Sequence, residues 1–183
     1  MNLSARAQRI RAVVLDVDGV LTDGRIGYGP EPGEIKFFHV RDGHAMKMLR
    51  RARLQVGLLS GRSSAANRRR AEELELDFVY EGEKDKNGAF VRLLAERCLA
   101  PEDCLYVGDD VVDIPVLKRV GVAVAVADAV PEVKAVAHWV TGAAGGHGAV
   151  REVAVWLLHE QGRWQELMKR YQEPAPGAAS AQT

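Results

Sequence analysis

The chain has 183 residues, of which 47% are hydrophobic and 27% are charged, as expected for one globular domain with a substantial core. Lys plus Arg and Asp plus Glu balance at 25 each, so no net charge draws the protein to nucleic acid or an anionic membrane. The sequence shows no signal-peptide pattern and no stretch able to span a bilayer, and Cys98 and Cys104 lack metal-ligand spacing. We therefore expect a cytoplasmic protein with two reduced thiols and neither nucleic-acid nor membrane partners.

Short apolar runs rich in Val and Leu predict the strands. They are continuous rather than alternating, which is typical of parallel strands covered by helices on both faces. Segments with helical spacing lie between several of them, so the sequence predicts an α/β fold, a doubly wound parallel sheet with right-handed crossovers. The runs are residues 12–15, 56–59, 78–80, 105–107 and 122–126, and the helical segments include residues 44–53, 63–74 and 88–98.

Two regions depart from this alternation. Residues 24–41 predict a β-hairpin directly after the first strand, with two strands joined by a Gly- and Pro-rich turn at residues 29–33. Residues 148–171 predict helix, interrupted near Gly162, within a C-terminal segment of residues 142–172. We expect a single domain over residues 1–172 and a disordered tail over residues 173–183.

Two carboxylates follow the first strand in the sequence Asp16-Val-Asp18-Gly19. Ligands of open α/β sheets bind at the carboxyl ends of the strands. Adjacent carboxylates repel each other, so they need a cation between them or one must hold a proton. One of them could attack phosphorus, and the other could act as general acid and base. Taken alone, the same residues also suit an ordinary turn.

A second acidic cluster follows the strand at residues 105–107. Asp109 could complete a magnesium site with Asp16, since Mg²⁺ prefers oxygen ligands. Asp110 and Asp113 could orient waters or a lysine from a second layer of contacts. A turn followed by a capped helix is the alternative interpretation, but two acidic clusters at two strand ends favour a site.

A substrate phosphate would need further donors. Ser60, Gly61 and Arg62 follow another predicted strand and lead into a helix, whose N-terminus favours anions. Lys86 precedes a helix and could place an ammonium on the same phosphate. Lys84 is the alternative lysine.

These elements, in this order, resemble the haloacid dehalogenase superfamily of phosphatases over residues 10–156. The first motif of that family, Asp-X-Asp-Gly-X-X-Thr, corresponds to residues 16–22 and ends at Thr22. Ser60, Lys86 and Asp109 stand at the positions of its second, third and fourth motifs. The resemblance implies Mg²⁺ bound by Asp16, Asp109 and the main-chain carbonyl of Asp18.

Several longer segments resemble one family within that superfamily, the 3-deoxy-D-manno-octulosonate 8-phosphate phosphatases. They include Gly-Val-Leu-Thr-Asp-Gly, Phe-His-Val-Arg-Asp-Gly and Gly-Gly-His-Gly-Ala-Val-Arg-Glu. The resemblance implies a phosphorylated keto-deoxy sugar acid as substrate. His147 departs from the family, which commonly has Arg there, and this leaves open how a substrate carboxylate is held. The candidate substrate-binding residues are Thr22, Gly61, Arg62, Lys86 and His147.

Neither insertion point used by cap domains in the superfamily has room for one. Close relatives form tetramers in which neighbouring subunits cover the site, so the resemblance implies a homotetramer with shared active sites. Four further residues near the hairpin could touch the substrate: His39, Arg41, Asp42 and His44. For the arginines at 68–70, a solvent-facing helix is the better interpretation.

Other functions remain to be weighed. A phosphatase of a nine-carbon sialic-acid-type sugar 9-phosphate has the same motifs, and a catalytically silent oligomeric binding module is a different class of answer. Such a module has no need for Asp16, Asp18, Lys86 and Asp109 together. A mutase would need a cap, and a dehalogenase would need neither Asp18 nor Asp109.

Overall fold

The computed structural model of the protein describes residues 2–29 and 33–172. Its centre is a six-stranded sheet in which all paired strands run parallel, in the order β5-β4-β1-β6-β7-β8. Two further strands, β2 and β3, form a separate antiparallel hairpin. The strands are β1 (Ala12–Leu15), β2 (Gly27–Tyr28), β3 (Glu34–Ile35), β4 (Gln55–Leu59), β5 (Phe78–Tyr80), β6 (Cys104–Gly108), β7 (Val122–Ala125) and β8 (Trp139–Val140).

Helices cover both faces of this sheet. With right-handed crossovers, the strand order places α2 and α3 on one face and α4 and α5 on the other. The helix α7 packs against α2, and α8 follows α7 after a short break. The helices are α1 (Leu3–Ala7), α2 (Val40–Arg51), α3 (Ala65–Leu74), α4 (Lys86–Arg97), α5 (Ile114–Leu117), α6 (Pro131–Lys134), α7 (Ala149–Glu160) and α8 (Trp164–Gln172).

The predicted doubly wound α/β fold is confirmed, and burial explains why the strands form where they do. Every residue of β1, β6 and β7 is buried, as expected for strands covered on both faces. Burying one Val or Leu side chain contributes about 1.5–3 kcal/mol, so continuous apolar runs favour the middle of the sheet. The five predicted strands agree with the observed ones to within one residue at each end.

The region after β1 holds the expected hairpin, but its second strand, which the sequence predicts over residues 34–40, is shorter in the structure. The strand β3 ends at Ile35, and α2 begins at Val40 with His39 in extended conformation at its N-cap. The residues that looked like a strand extension lead into a helix whose apolar side packs on α7. Tertiary packing therefore decided this boundary, since the local preference for extended structure is weak.

No cap domain is present in the part of the chain that the structure describes. Only the β2–β3 hairpin separates β1 from α2, and only α3 and β5 separate β4 from α4. The strand β8 and the short helices α1 and α6 were not predicted, because each is too short to show a periodic pattern.

Among the described residues, no helix combines the length and apolar character needed to cross a membrane. The tail predicted for residues 173–183 lies outside the described residues.

Candidate active site

Three neighbouring strands deliver the central residues of the site. Asp16 follows β1, Ser60 follows β4 and Asp109 follows β6, and both β4 and β6 pair directly with β1. Because the carboxyl ends of parallel strands meet at one edge, these residues converge there. Asp16 is 5% exposed and Ser60 is 2% exposed, so the site lies at the bottom of a crevice.

Lys86 is the cation of this crevice. It is the first residue of α4, and its Nζ lies 2.8 Å from Asp16 Oδ1 and 2.6 Å from Asp113 Oδ1. A cation at a helix N-terminus opposes the helix dipole, and a buried ammonium is costly unless it is paired. The two carboxylates offset both costs and raise the pKa of Lys86 despite its burial, so Lys86 stays charged beside Asp16.

Asp113 is fully buried and accepts four hydrogen bonds. Its Oδ1 accepts from Lys86 Nζ and from Tyr106 Oη, each at 2.6 Å, and its Oδ2 accepts from the backbone N–H of Asp109 at 3.0 Å and of Asp110 at 3.3 Å. Burial and the charge of Asp113 hold the pKa of Tyr106 well above its usual value, so its hydroxyl remains a donor. Asp113 therefore positions Lys86 and the loop after β6.

Tyr106 is a member of this buried cluster that the sequence did not reveal. It lies inside a strand that is otherwise apolar, and its side chain is fully buried. The only signal in the sequence is a hydroxyl within a buried run, which needs a partner.

Asp109 approaches the loop after β1 closely. A side chain at Gly19 would bring its Cβ within 2.0 Å of Asp109 Oδ2, and Gly19 has φ +88°, which also favours glycine. The glycine of the first motif thus makes room for the carboxylate from β6. Asp110 points elsewhere and caps the short turn that follows, accepting a hydrogen bond from Val111 N at 2.7 Å.

The single positive charge of Lys86 does not balance the three carboxylates of Asp16, Asp109 and Asp113. Burial raises the pKa of Asp16 to about 6, and the nearby ammonium of Lys86 opposes that shift. Burial, reinforced by the charges of Asp16 and Asp113, raises the pKa of Asp109 to about 8. Repulsion between these carboxylates is relieved when one of them holds a proton or when a cation binds between them.

The residues present fit a magnesium ion. One carboxylate oxygen from each of Asp16, Asp109 and Asp113 lies within 4.8 Å of the others. Asp109 Oδ1 is buried and accepts no hydrogen bond from the described residues, whereas both oxygens of Asp113 are occupied. The open acceptor in this group therefore belongs to Asp109 rather than to Asp113.

Asp18 lies at the mouth of the crevice, where the hairpin meets it. Its Oδ1 accepts a hydrogen bond from Lys36 Nζ at 2.6 Å. Lys36 follows β3 and was not predicted as a site residue. Arg62 Nη2 lies 2.6 Å from Glu34 Oε1, and this hydrogen bond holds the pKa of Glu34 below its usual value.

Ser60 and Gly61 form the loop between β4 and α3. Ser60 Oγ accepts a hydrogen bond from Arg62 N at 3.2 Å, while its backbone bonds Tyr80 and Glu83. The loop is therefore held on both sides, and the pairing of β1 with β4, in which Leu15 lies opposite Leu58, brings Ser60 to the same edge of the sheet as Asp16.

Thr22 is fully buried, and its hydroxyl is used inside its own loop. Its Oγ1 accepts from Gly19 N at 3.3 Å and from Gly24 N at 3.2 Å. This places Thr22 beneath the substrate crevice, where it orders the turn that carries Asp18.

The loop bearing His147 packs directly on the first motif. A Cβ at Gly145 would meet Gly19 O at 1.7 Å, so the two backbones touch. His147 Nδ1 lies 2.8 Å from Gly145 O. Its side chain helps to line a cavity of about 230 Å³ together with Asp23, Phe37, Phe38, His39 and Gly146. His147 and His39 are thus brought together beside the hairpin.

The remaining residues suggested near the hairpin have other partners. Asp42 accepts hydrogen bonds from Gly148 N at 3.2 Å and Arg151 N at 2.7 Å, so it caps the start of α7. His44 Nε2 lies 2.7 Å from Tyr171 Oη, in a cavity of about 470 Å³ that Arg41 also lines and that none of the predicted catalytic residues reaches.

The arginines of α3 do not converge on the crevice. Arg68 pairs with Glu81, and Arg70 pairs with Glu73 and lies over the ring of Phe38. Arg68 and Arg69 are exposed, as expected for a solvated helix face, whereas the side chain of Arg70 is only 14% exposed.

Known proteins share both this sequence and this structure. A family profile described as haloacid dehalogenase-like hydrolase matches residues 78–153. The chain is 43% identical over 165 residues to the 3-deoxy-D-manno-octulosonate 8-phosphate phosphatase KdsC of Escherichia coli strain B / BL21-DE3, covering 90% of this chain and 88% of the relative.

Two solved structures show the same fold. A probable YrbI family phosphatase from Pseudomonas syringae pv. phaseolica superposes with a TM-score of 0.91 at 41% identity, covering 94% of this chain and 98% of that one. The 3-deoxy-D-manno-octulosonate 8-phosphate phosphatase of Moraxella catarrhalis, in complex with magnesium ion, phosphate ion and KDO, superposes with a TM-score of 0.90 at 34% identity, covering 92% and 97%. The chain therefore belongs to the haloacid dehalogenase-like hydrolases and, within them, to the family of 3-deoxy-D-manno-octulosonate 8-phosphate phosphatases.

Proposed function

We propose that the protein is a Mg²⁺-dependent phosphomonoesterase that converts 3-deoxy-D-manno-octulosonate 8-phosphate to the free sugar acid and phosphate. The observation that carries the reaction type is the buried cluster in which Lys86 pairs with Asp16, while Asp109 Oδ1 accepts no hydrogen bond from the part of the chain that the structure describes. The substrate follows from the relatives: one crystal structure at 34% identity holds magnesium, phosphate and KDO together.

Asp16 is the proposed nucleophile. A carboxylate oxygen of Asp16 attacks phosphorus and forms an aspartyl phosphate, while the bond from phosphorus to the sugar oxygen breaks. Asp18 donates a proton to that departing oxygen. Lys86 neutralises charge on the phosphoryl group, and Ser60, Gly61 and Arg62 supply hydrogen-bond donors to its other oxygens.

Hydrolysis of the aspartyl phosphate reverses the role of Asp18. The carboxylate of Asp18 takes a proton from water, and the oxygen of that water bonds to phosphorus as the bond to Asp16 breaks. Inorganic phosphate leaves, and both carboxylates return to their starting states. When bound, Mg²⁺ supplies positive charge that offsets the phosphate and the carboxylates; Asp16, Asp109 and the main-chain carbonyl of Asp18 would hold it.

Positioning is assigned to the residues around these groups. Asp113 orients Lys86 and the loop after β6, Asp110 caps the short turn that follows, and Thr22 orders the first motif. His147 lies beside His39 and Phe38 at the cavity next to the hairpin, where it could contact the sugar acid in place of the arginine of its relatives.

A phosphate-release screen tests the substrate assignment. Purified protein with Mg²⁺ would be assayed on eight-carbon and nine-carbon sugar acid phosphates and on neutral sugar phosphates. We expect kcat/KM to be highest for 3-deoxy-D-manno-octulosonate 8-phosphate. Preference for a sialic-acid-type 9-phosphate would contradict the assignment.

We also propose that the enzyme acts in the cytoplasm as a homotetramer, with neighbouring subunits covering each site. Two observations support the assembly: the crevice has no cap in the described residues, and the hairpin exposes Tyr28 at 76% and Phe37 at 77%. Exposed aromatic clusters of this kind mark interaction surfaces.

Light scattering on the wild type and on Phe37→Ser tests the assembly. We expect a tetramer for the wild type, and a smaller species with reduced turnover for the variant. A fully active wild-type monomer would rule out shared active sites.

A further inference from the structure

The hairpin after β1 has an inverted pattern of burial. Ile35 and Phe37 are 47% and 77% exposed, whereas Lys36 between them is 8% exposed. Exposure alternates along residues 35–37, so the two apolar residues face solvent and the lysine between them points inward. An ammonium is buried only where it is paired, and this one points at the mouth of the crevice.

Lys36 belongs to a ring of alternating charges. Its Nζ lies 2.6 Å from Asp18 Oδ1 and 3.6 Å from Glu34 Oε2. Arg62 lies on the other side, with Nη2 2.6 Å from Glu34 Oε1 and Nε 3.9 Å from Asp18 Oδ2. The ring joins the hairpin to the loops after β1 and β4, and Lys36 makes its short contact with Asp18.

The two carboxylate oxygens of Asp18 differ in their hydrogen bonding within this ring. The Oδ1 atom is hydrogen-bonded to Lys36, whereas Oδ2 is buried and accepts no hydrogen bond from the described residues. Arg62 Nε lies 3.9 Å from Asp18 Oδ2, which is too long for a hydrogen bond. One oxygen is therefore held in place, and the other is left open to give or take a proton.

We propose that Lys36 is a positioning residue for Asp18: the hairpin anchors Oδ1 through the lysine and thereby directs Oδ2 toward the oxygen that leaves phosphorus. This inference rests on the proposed phosphatase reaction, in which Asp18 protonates the leaving oxygen. During that step the proton passes from Asp18 to the sugar oxygen as the phosphorus–oxygen bond breaks. Lys36 keeps its own protons throughout.

The experiment compares leaving groups in the full-length enzyme with Mg²⁺. An alkyl monophosphate that the wild type hydrolyses releases an alkoxide and needs the proton, whereas p-nitrophenyl phosphate releases a stable anion and does not. The quantity measured is kcat/KM, because it reports the steps up to formation of the aspartyl phosphate and excludes its later hydrolysis.

Lys36→Met keeps the length of the side chain and removes its charge. We expect kcat/KM for the alkyl phosphate to fall about 10- to 100-fold, as for partial loss of general acid catalysis. For p-nitrophenyl phosphate we expect a fall of less than about threefold, within the small effect of an interaction that does not act on the transition state. Lys36→Arg should recover most of the alkyl phosphate activity, since it restores a donor.

Three outcomes would overturn the proposal. Equal losses on both substrates would assign Lys36 to the fold alone. Lys36 would instead be a substrate contact if KM rose for sugar acid phosphates with kcat unchanged, while alkyl phosphates without a carboxylate were unaffected. Unchanged activity of Lys36→Met on both the alkyl phosphate and p-nitrophenyl phosphate would show that Lys36 has no role in the reaction.

The controls separate this test from that of the proposed function. Lys118→Met removes the charge of an exposed lysine after α5 and should behave as wild type. A wild type that is inactive on 3-deoxy-D-manno-octulosonate 8-phosphate but active on other alkyl phosphates would overturn the substrate assignment alone, because the leaving-group ratio could still be measured.

Discussion

Two buried lysines stand on opposite sides of the crevice, and they are held in different ways. Lys86 starts an α-helix of the core and pairs with two carboxylates that are themselves buried, Asp16 and Asp113. Lys36 lies on a two-stranded hairpin and pairs with Asp18 and Glu34, whose side chains are 21% and 17% exposed. Each lysine contacts one of the two proposed catalytic aspartates.

The difference indicates two levels of rigidity. Around Lys86 the positions are set by neighbouring strands and by the four hydrogen bonds to Asp113. Around Lys36 they are set by side-chain charges on a hairpin that presents its apolar residues to solvent. Networks buried in the core hold their geometry strongly, whereas a hairpin alone is marginally stable. We infer that phosphate chemistry belongs to the rigid side and leaving-group handling to the adjustable side.

Asp16→Asn tests the rigid side most directly and should have the largest effect. Removing a nucleophile costs on the order of 10⁴-fold or more in kcat, because the amide cannot form the aspartyl phosphate. Phosphate release with saturating Mg²⁺ measures it, with Lys118→Met as control. Substantial residual turnover would show that another group attacks phosphorus.

Lys86→Met should rank next. Loss of a charged donor to the phosphoryl group costs about 10²- to 10³-fold. In contrast to the expectation for Lys36→Met, the loss should be similar for alkyl and aryl phosphates, because both carry the same phosphoryl group. Near-UV circular dichroism would check the fold, since an unpaired buried carboxylate is destabilising. A strong dependence on the leaving group would contradict the division between the two lysines.

The third prediction concerns pH and magnesium. The pKa of Asp109 is raised in the folded protein to about 8 from an ordinary 3.8. The folded state then binds more protons than the unfolded state between these values, so the metal-free protein loses stability as pH rises through that window. Asp109→Asn should reduce this loss to the part that the raised pKa of Asp16 contributes. In EDTA, the stability of the variant relative to wild type should increase by on the order of 2 kcal/mol from about pH 5 to about pH 8.5, after allowance for solvent screening.

Mg²⁺ should restore the folding stability that the wild type loses at high pH, and it should not stabilise Asp109→Asn in the same way. Binding at a concentration of about 100 times Kd stabilises the folded state by about 2.7 kcal/mol, and EDTA should also abolish phosphate release. Urea unfolding at both pH values, with and without Mg²⁺, measures the change. Turnover that persists in EDTA, or equal stabilisation of Asp109→Asn by Mg²⁺, would argue against Asp109 as a ligand.

Tyr106→Phe should have the smallest effect. It removes one of the donors to Asp113 but leaves Lys86 and both backbone amides in place. A lost buried hydrogen bond costs about 1 kcal/mol, so we expect a decrease in kcat of less than about tenfold and slightly lower unfolding stability. A loss as large as that of Lys86→Met would mean that Tyr106 itself contacts the phosphoryl group.

The sequence alone determined the sheet and the residues at its edge. Short continuous apolar runs rich in Val favour strands covered on both faces, and carboxylates placed directly after parallel strands meet at the edge where those strands end. Asp16, Ser60 and Asp109 were predicted for that reason, and Lys86 because its motif stands at a helix start. Their catalytic and binding roles remain predictions that the variants above address.

Only the tertiary structure decided what lies between those strand ends. Alternation along the hairpin separates Lys36 from Ile35 and Phe37, but it does not say which face turns inward, and apolar residues would ordinarily be placed there. Similarly, the buried hydroxyl of Tyr106 meets Asp113 through contacts between β6 and the loop after it. Such pairings depend on how the folded loops meet the strands, which the sequence pattern does not specify, since a charged side chain is buried only where its partner also arrives.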